Sequence, residues 1–207
     1  MSQFSRKDVQ LHRSDTVFEG FFKMIRHQFT HTKYDGSQSA MVTREVFERG
    51  HAVAVLPYDP ELEEFVLIEQ FRFPAAATCD DPWLIEVIAG IIEKDEEEIE
   101  VCCREAKEEA NIDISMVTKA LSYLSSPGGT TERLHIYTAK VDASSAFGVH
   151  GLANEAEDIK VLRVKEDEAR RWLESGIIDN AAAVIALQWF FLHKEQLLKS
   201  WIDKATR

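Results

Sequence analysis

Basic side chains are scarce in this chain: 24 lysines and arginines stand against 36 aspartates and glutamates, a formal net charge of -12 over 207 residues. A nucleic-acid backbone or an anionic membrane would be repelled over much of such a surface, so neither is expected as a principal partner. A small anionic ligand would need a local cation to offset the acidity. Cysteine is scarcer still, with Cys102 and Cys103 adjacent in an odd set of three. That pattern suits a reduced, cytoplasmic setting better than a secreted disulfide framework. No His/Cys spacing for zinc occurs. Nor is there any run of roughly 18 apolar residues to span a bilayer, and the opening MSQFSRKDVQLHRSD has no apolar run that would serve as a signal sequence.

What is present is a chain with 45% hydrophobic residues, enough for one well-buried core. Val17 to Thr32 and Met41 to Gly50 have β character and flank the turn-rich YDGSQS. The runs HAVAVLPY and EFVLIEQF, joined by DPELE, predict a hairpin of largely buried strands, followed by the apolar stretch WLIEVIAG. In the next segment Ile99, Cys102, Cys103, Ala106 and Ala110 recur at helical spacing and predict a core-facing stripe. Strands are expected at Ala120 to Leu124, Leu134 to Val141 and Ile159 to Val164. Helices are expected from Glu166 to Ser175, stopped by Gly176, and from the N-cap Asn180 to about Ile202. A mixed α/β domain carrying an N-terminal arm of strands fits this order.

REAKEEANI, from Arg104 to Ile112, is where charge patterning turns into chemistry. Glu105, Glu108 and Glu109 stand at i, i+3 and i+4, on one face, where they repel one another near the negative end of a helix. Such a cluster is either a solvated surface face or a place that expects a cation. Ionised carboxylates are hard oxygen donors, suited to Mg²⁺ or Mn²⁺. Arg104 is expected to pair with Glu108 at i+4 and leave Glu105 and Glu109 free for metal.

Gly90, five residues, Glu96, seven residues and then Arg104 to Ile112 resemble the box of the Nudix hydrolases, which split nucleoside diphosphates linked to another group. One departure is Asn111, where the family carries glycine; asparagine tolerates the left-handed backbone needed just past a helix end. The resemblance extends from about Val17 to the C-terminal helix through VFEGFF, FERGHAV, IEQFR and IDNAAAVIALQW. Pro127, sixteen residues after Asn111 in LSSPGGTTER, is similar to the mark of the branch that hydrolyses ADP-ribose.

The resemblance implies an α/β Nudix fold, a mixed β-sheet sandwiched between helices, with residues 1–50 as a strand arm for dimerisation and part of an adenosine pocket and 51–207 as the hydrolase domain. It implies metal ligation by the Ala89 carbonyl, Glu105, Glu109 and Glu157. Glu155, in the acidic loop HGLANEAEDIKV, would be the base, with Glu108 and Arg104 in the catalytic group. Arg72 would meet phosphate, Phe21 and Phe22 adenine, and Arg44, Glu45 and Arg49 would be lent across a dimer interface. Ile91, Ser126, Pro127, Gly128 and Glu132 fall at further substrate positions. Without the family, Phe21 reads equally as core, Arg44 and Arg49 as edge-strand charges, and the acidic loop as a solvated one.

The activity so implied is Mg²⁺-dependent hydrolysis of ADP-ribose to AMP and ribose 5-phosphate by a homodimer with shared active sites. The alternatives are hydrolysis of another nucleoside diphosphate sugar such as GDP-mannose, and a module that binds ADP-ribose without cleaving it. The complete set Glu105, Glu108, Glu109 and Glu155 speaks against the second. Removal of an RNA cap is disfavoured by the acidic balance.

Overall fold

The computed structural model describes residues 3–205. Its chain separates into two compact units, Met1–His51 with Leu124–Arg133, and Ala52–Tyr123 with Leu134–Arg207.

In the first unit, β1 (Val9–Glu19), β2 (Lys23–His31) and β3 (Val42–Glu48) form an antiparallel sheet in that order. The stretch expected to run from Val17 to Thr32 is thus broken, because the Gly20 amide donates to the Phe22 carbonyl at 2.9 Å and folds the chain into a hairpin. β1 also begins earlier than expected and is exposed along almost its whole length. The segment Leu124–Arg133 joins this sheet: the Phe47 amide donates to the Gly129 carbonyl at 2.8 Å, and Phe47 and Thr130 form a parallel bridge.

The second unit contains the larger sheet. β4 (Ala52–Asp59) and β5 (Glu64–Phe71) are the expected hairpin, but they pair only at its closed end, Tyr58 with Phe65 and Asp59 with Glu64. Beyond that they splay, and the stretch WLIEVIAG fills the gap as two strands: β6 (Trp83–Glu86) pairs with β5 and β7 (Ile88–Ile91) with β4. β8 (Ser115–Leu124), β9 (Arg133–Lys140), β10 (Val149–His150) and β11 (Ile159–Lys165) complete a sheet of order β10-β11-β5-β4-β9-β8, with β4 and β9 parallel. β8 starts earlier than the expected strand at Ala120.

Alternation along β4 divides the core. Ala52, Ala54, Leu56 and Tyr58 face a layer containing α2 (Glu166–Ser175) and α3 (Ala181–Ala205) through Ala169, Leu187 and Phe190. Val53 and Val55 face α1 (Glu98–Ala110) through Val101, Cys102, Ala106 and Ala110. A sheet covered on both faces gives strands with continuous apolar runs, which is how HAVAVLPY reads. The buried stripe of α1 differs from the expected one. Ile99 and Cys103 are exposed, and Val101 and Glu109 are buried in their place. The helix is rolled so that its last two turns bring acid side chains, not only apolar ones, onto β7.

The C-terminal ends of α1 and α2 and the start of α3 obey local rules. Asn111 stands at φ 50°, ψ 36°, and the Ile112 amide reaches the Ala106 carbonyl at 3.1 Å, closing α1 with a left-handed cap. Gly176 ends α2 in the same conformation, and the Asn180 side chain accepts from the Ala183 amide at 3.1 Å to open α3. Among the described residues no helix is long and apolar enough to cross a membrane.

Candidate active site

The last turns of α1 lie against β7, and two features of β7 make that approach possible. Gly90 has no side chain, and a Cβ there would stand 1.7 Å from Oε1 of Glu105. One residue earlier, the Ala89 amide donates to Oε2 of Glu109 at 3.1 Å. In an extended strand a residue's N–H and C=O point to the same edge, so the Ala89 carbonyl faces this side too.

Arg104 organises the carboxylates. Its Nη1 lies 2.8 Å from Oε1 of Glu105 and 3.0 Å from Oε2 of Glu108, while Nε and Nη2 grip the two oxygens of Glu96 at 3.1 and 3.3 Å. The i+4 pair with Glu108 is present, but Glu105 is not free of Arg104 as the spacing suggests. Its carboxylate occupies the space that a Cβ on Gly90 would fill. Burial, and then the charges of Glu108 and Glu157, push the Glu105 carboxyl up to about 7 against the opposing pull of Arg104. Glu109, only 3% exposed, is pushed well above the usual carboxylate range by burial; the Ala89 amide and Arg72 offset this, while Glu105 and Glu157 add to it.

Glu157 reaches this group from the acidic loop. The Gly151 amide donates to the Glu108 carbonyl at 3.2 Å, tying the loop to the end of α1. Gly151 has φ +111°, and a Cβ on it would meet that of Glu157 at 2.6 Å. The Glu157 carboxylate in turn accepts from the Leu152 amide at 2.9 Å. Glu155 ends a one-turn 3-10 helix, Ala153–Glu155, and is exposed; among the described residues its carboxylate has no hydrogen-bond or ion-pair partner. Arg72 follows β5, and its Nε and Nη2 grip both oxygens of Glu86 at 3.1 and 2.8 Å. Ile91, half-buried, ends β7 opposite Ala52.

The remaining expected residues belong to the strand unit. Phe21 is 89% exposed, which rules out the core reading for it. It meets Phe22 edge-on at 4.7 Å, and Phe22 meets Phe47 edge-on at 5.1 Å. Arg49 lies over the Phe22 ring at 5.4 Å and beside Glu132, with Nε and Oε1 3.1 Å apart. Glu45 is held by Arg26 at 2.8 Å, and Arg44 donates to the Thr43 carbonyl. Ser126, Pro127 and Gly128 are exposed on a turn in which the Gly129 and Thr130 amides both donate to the Ser126 carbonyl at 3.0 Å.

Among the described residues no three His, Cys, Asp or Glu side chains converge as a finished metal cage. The donor set nevertheless fits a hard divalent cation. The charge of Glu157 raises the carboxyls of both Glu105 and Glu109, that of Glu105 raises Glu109 further, and a Cβ at Gly90 would displace the Glu105 carboxylate. Oxygen donors held so closely favour Mg²⁺ or Mn²⁺ over softer ions. Sequence reasoning passed over Glu86, Gly151 and Phe47. Only Glu86 left a trace, as the one carboxylate inside the apolar WLIEVIAG.

Comparison with known proteins places these features in context. The family model for the NUDIX domain matches residues 48–185. The chain is 48% identical over 198 residues to the ADP-ribose pyrophosphatase of Escherichia coli (strain K12), covering 96% of this chain and 95% of that one. It is 35% identical over 183 residues to the GDP-mannose pyrophosphatase of Cronobacter sakazakii, covering 87% and 94%. A crystal structure of an ADP compounds hydrolase superposes with a TM-score of 0.67 at 18% identity, covering 98% of both chains, a likeness of fold.

Proposed function

Because the chain belongs to the Nudix family, we propose that it hydrolyses the diphosphate of ADP-ribose, releasing AMP and ribose 5-phosphate, with Mg²⁺ as cofactor and Mn²⁺ as a substitute. The observation that carries this reading is the carboxylate pair Glu105 and Glu109 packed against Gly90 and Ala89, with Glu157 delivered beside them. The near full-length identity of 48% to the Escherichia coli pyrophosphatase, against 35% to the GDP-mannose enzyme, supports ADP-ribose over the guanine sugar.

Glu105, Glu109, Glu157 and the Ala89 carbonyl would hold the metal. Bound there, it would neutralise diphosphate charge and lower the pKa of a coordinated water. The chain's own groups do the rest. Glu155, exposed on its loop, accepts the proton of the attacking water as that oxygen bonds to one phosphorus and the P–O bond to the bridging oxygen breaks. Glu108 and Arg104 belong to the catalytic group, since Arg104 fixes Glu105 and Glu108 in relation to each other. Arg72 meets the diphosphate, for which a guanidinium fork is well matched.

Phe21 and Phe22 take adenine, and Arg44, Glu45, Arg49, Ile91, Ser126, Pro127, Gly128 and Glu132 make further substrate contacts. The assembly is a homodimer in which the strand unit of each chain serves the partner's substrate site. The long exposed β1 supports this, because an uncovered strand with Leu11 and Phe18 at 59% and 64% exposure invites a partner. The enzyme is cytoplasmic, in keeping with its three free cysteines.

Turnover of ADP-ribose and GDP-mannose at equal Mg²⁺, with products separated by chromatography, tests the reading. AMP release with a clear preference for ADP-ribose is expected. A preference for GDP-mannose, or tight ADP-ribose binding without AMP release, would overturn it.

A further inference from the structure

Arg72 is held more firmly than its exposure suggests. Its side chain is 45% exposed, yet its amide donates to the Pro82 carbonyl at 2.9 Å and its guanidinium is gripped through Nε and Nη2 by both oxygens of Glu86. Glu86 is only 13% exposed and is itself fixed by Nε2 of Gln70 at 3.3 Å. Gln70 lies on β5 and Glu86 on β6, so the Glu86 carboxylate reaches across the strand pair to Gln70 and to Arg72 just beyond β5, and its Oε2 accepts from both.

The stereochemistry of the grip matters. A guanidinium carries five N–H bonds in a fixed plane. The side-on contact with Glu86 uses one on Nε and one on Nη2. The opposite end, with both hydrogens of Nη1 and the second of Nη2, stays open as another two-pronged fork for an oxyanion. The charges of Glu109 and Glu157 act on Arg72 as well, so that this open fork lies within the electrostatic reach of the carboxylate group.

We propose that Glu86, backed by Gln70, is a positioning residue: it fixes the plane of Arg72 so that the open Nη1/Nη2 end meets the diphosphate of the substrate. This rests on the ADP-ribose reading through the role of Arg72. The competing explanation is that the pair merely pins the segment after β5, residues 72–82. That role would affect stability and all ligands alike.

The test compares the wild type, Glu86→Gln, Arg72→Ala and the double variant, each with Mg²⁺. Steady-state kinetics on ADP-ribose are combined with calorimetric binding of ADP and of adenosine, which lacks phosphate. Glu86→Gln should raise KM and weaken ADP binding about tenfold, the loss of one oriented charge-assisted contact. It should leave kcat within about twofold and adenosine binding unchanged, because the contact is made equally in ground and transition states. In the Arg72→Ala background the same change should add nothing.

Unchanged ADP binding, an equal loss for adenosine, or an additional loss without Arg72 would each overturn the proposal. Should Glu86→Gln fail to fold in a melting curve, Glu86→Asp keeps the charge, shortens the reach by one methylene and must still weaken ADP selectively. A wild type that releases no AMP would instead sink the substrate reading, while the ADP and adenosine comparison still decides the role of Glu86.

Discussion

Two glutamates of the larger unit expose little surface, Glu109 3% and Glu64 8%, but Glu109 lies much deeper, and the chain treats them in opposite ways. Glu64 lies between Arg163, at 2.7 Å, and Lys165, at 3.1 Å. Burial alone would raise its carboxyl, but the hydrogen bonds and charges of those two bases outweigh it and hold the group below its ordinary 4.5. Glu109 has one backbone amide, a more distant Arg72, and two other glutamates near it, and is driven upward. A fold that wanted only a buried carboxylate has the means to neutralise it, as Glu64 shows. Leaving Glu109 short of positive charge is comprehensible as preparation for a cation that comes from outside the chain.

The sharpest way to break this contrast is to neutralise each acid without changing its shape. Glu109→Gln removes one of the proposed metal donors. Catalysis should fall by roughly a thousandfold, the several kcal/mol of transition-state stabilisation that a bound metal supplies. Metal-free thermal stability should hold or rise, because an amide avoids the desolvation of a charge in that position. A drop in melting temperature with activity retained would place Glu109 with Glu64 as a structural group. Glu155→Gln sharpens the comparison from the solvent side. This exposed acid should lose about a hundredfold in kcat with no change in melting temperature, and a flattened pH profile. A rate close to wild type across pH would remove it as the base.

Gly90→Ala probes the surface on which the site is built. The new Cβ would fall 1.7 Å from a Glu105 oxygen, so either the carboxylate or β7 must move. A stability loss of about 1 to 3 kcal/mol is expected from such overpacking, and turnover should fall about tenfold or more as Glu105 is displaced from its place beside Glu109. Urea unfolding and turnover on the same sample measure both. A Gly90→Ala variant of unchanged stability and rate would show that Glu105 does not depend on the glycine.

The candidate site was legible through the family resemblance that Gly90, Glu96 and the Arg104 cluster carry, while helical offsets alone gave the pair of Arg104 and Glu108. The left-handed Asn111 followed from the same local logic, as did the caps at Gly176 and Asn180. What stayed hidden depended on contacts between elements distant in sequence. Glu109 is buried where it meets the Ala89 amide of β7, and Glu105 fills the space that Gly90 leaves open. The hairpin at Gly20 and the wedge of β6 and β7 between β4 and β5 are likewise decided by pairing, which apolar runs alone do not specify.

The mildest effect belongs to the other half of the comparison. Glu64→Gln lies outside the catalytic group and should leave turnover unchanged while costing about 1 kcal/mol at neutral pH, since Arg163 and Lys165 are partly exposed and remain hydrated without it. Its pH dependence carries the sign. A carboxyl whose folded value is depressed contributes stability that is fully present above its unfolded value near 4.5, and that is lost as pH falls through the lower folded value. The urea midpoints of wild type and Glu64→Gln should therefore differ at pH 7 and converge in that acidic window. If the gap between them stays constant down through that range, Glu64 is not held by its two bases, and the contrast with Glu109 loses its structural arm.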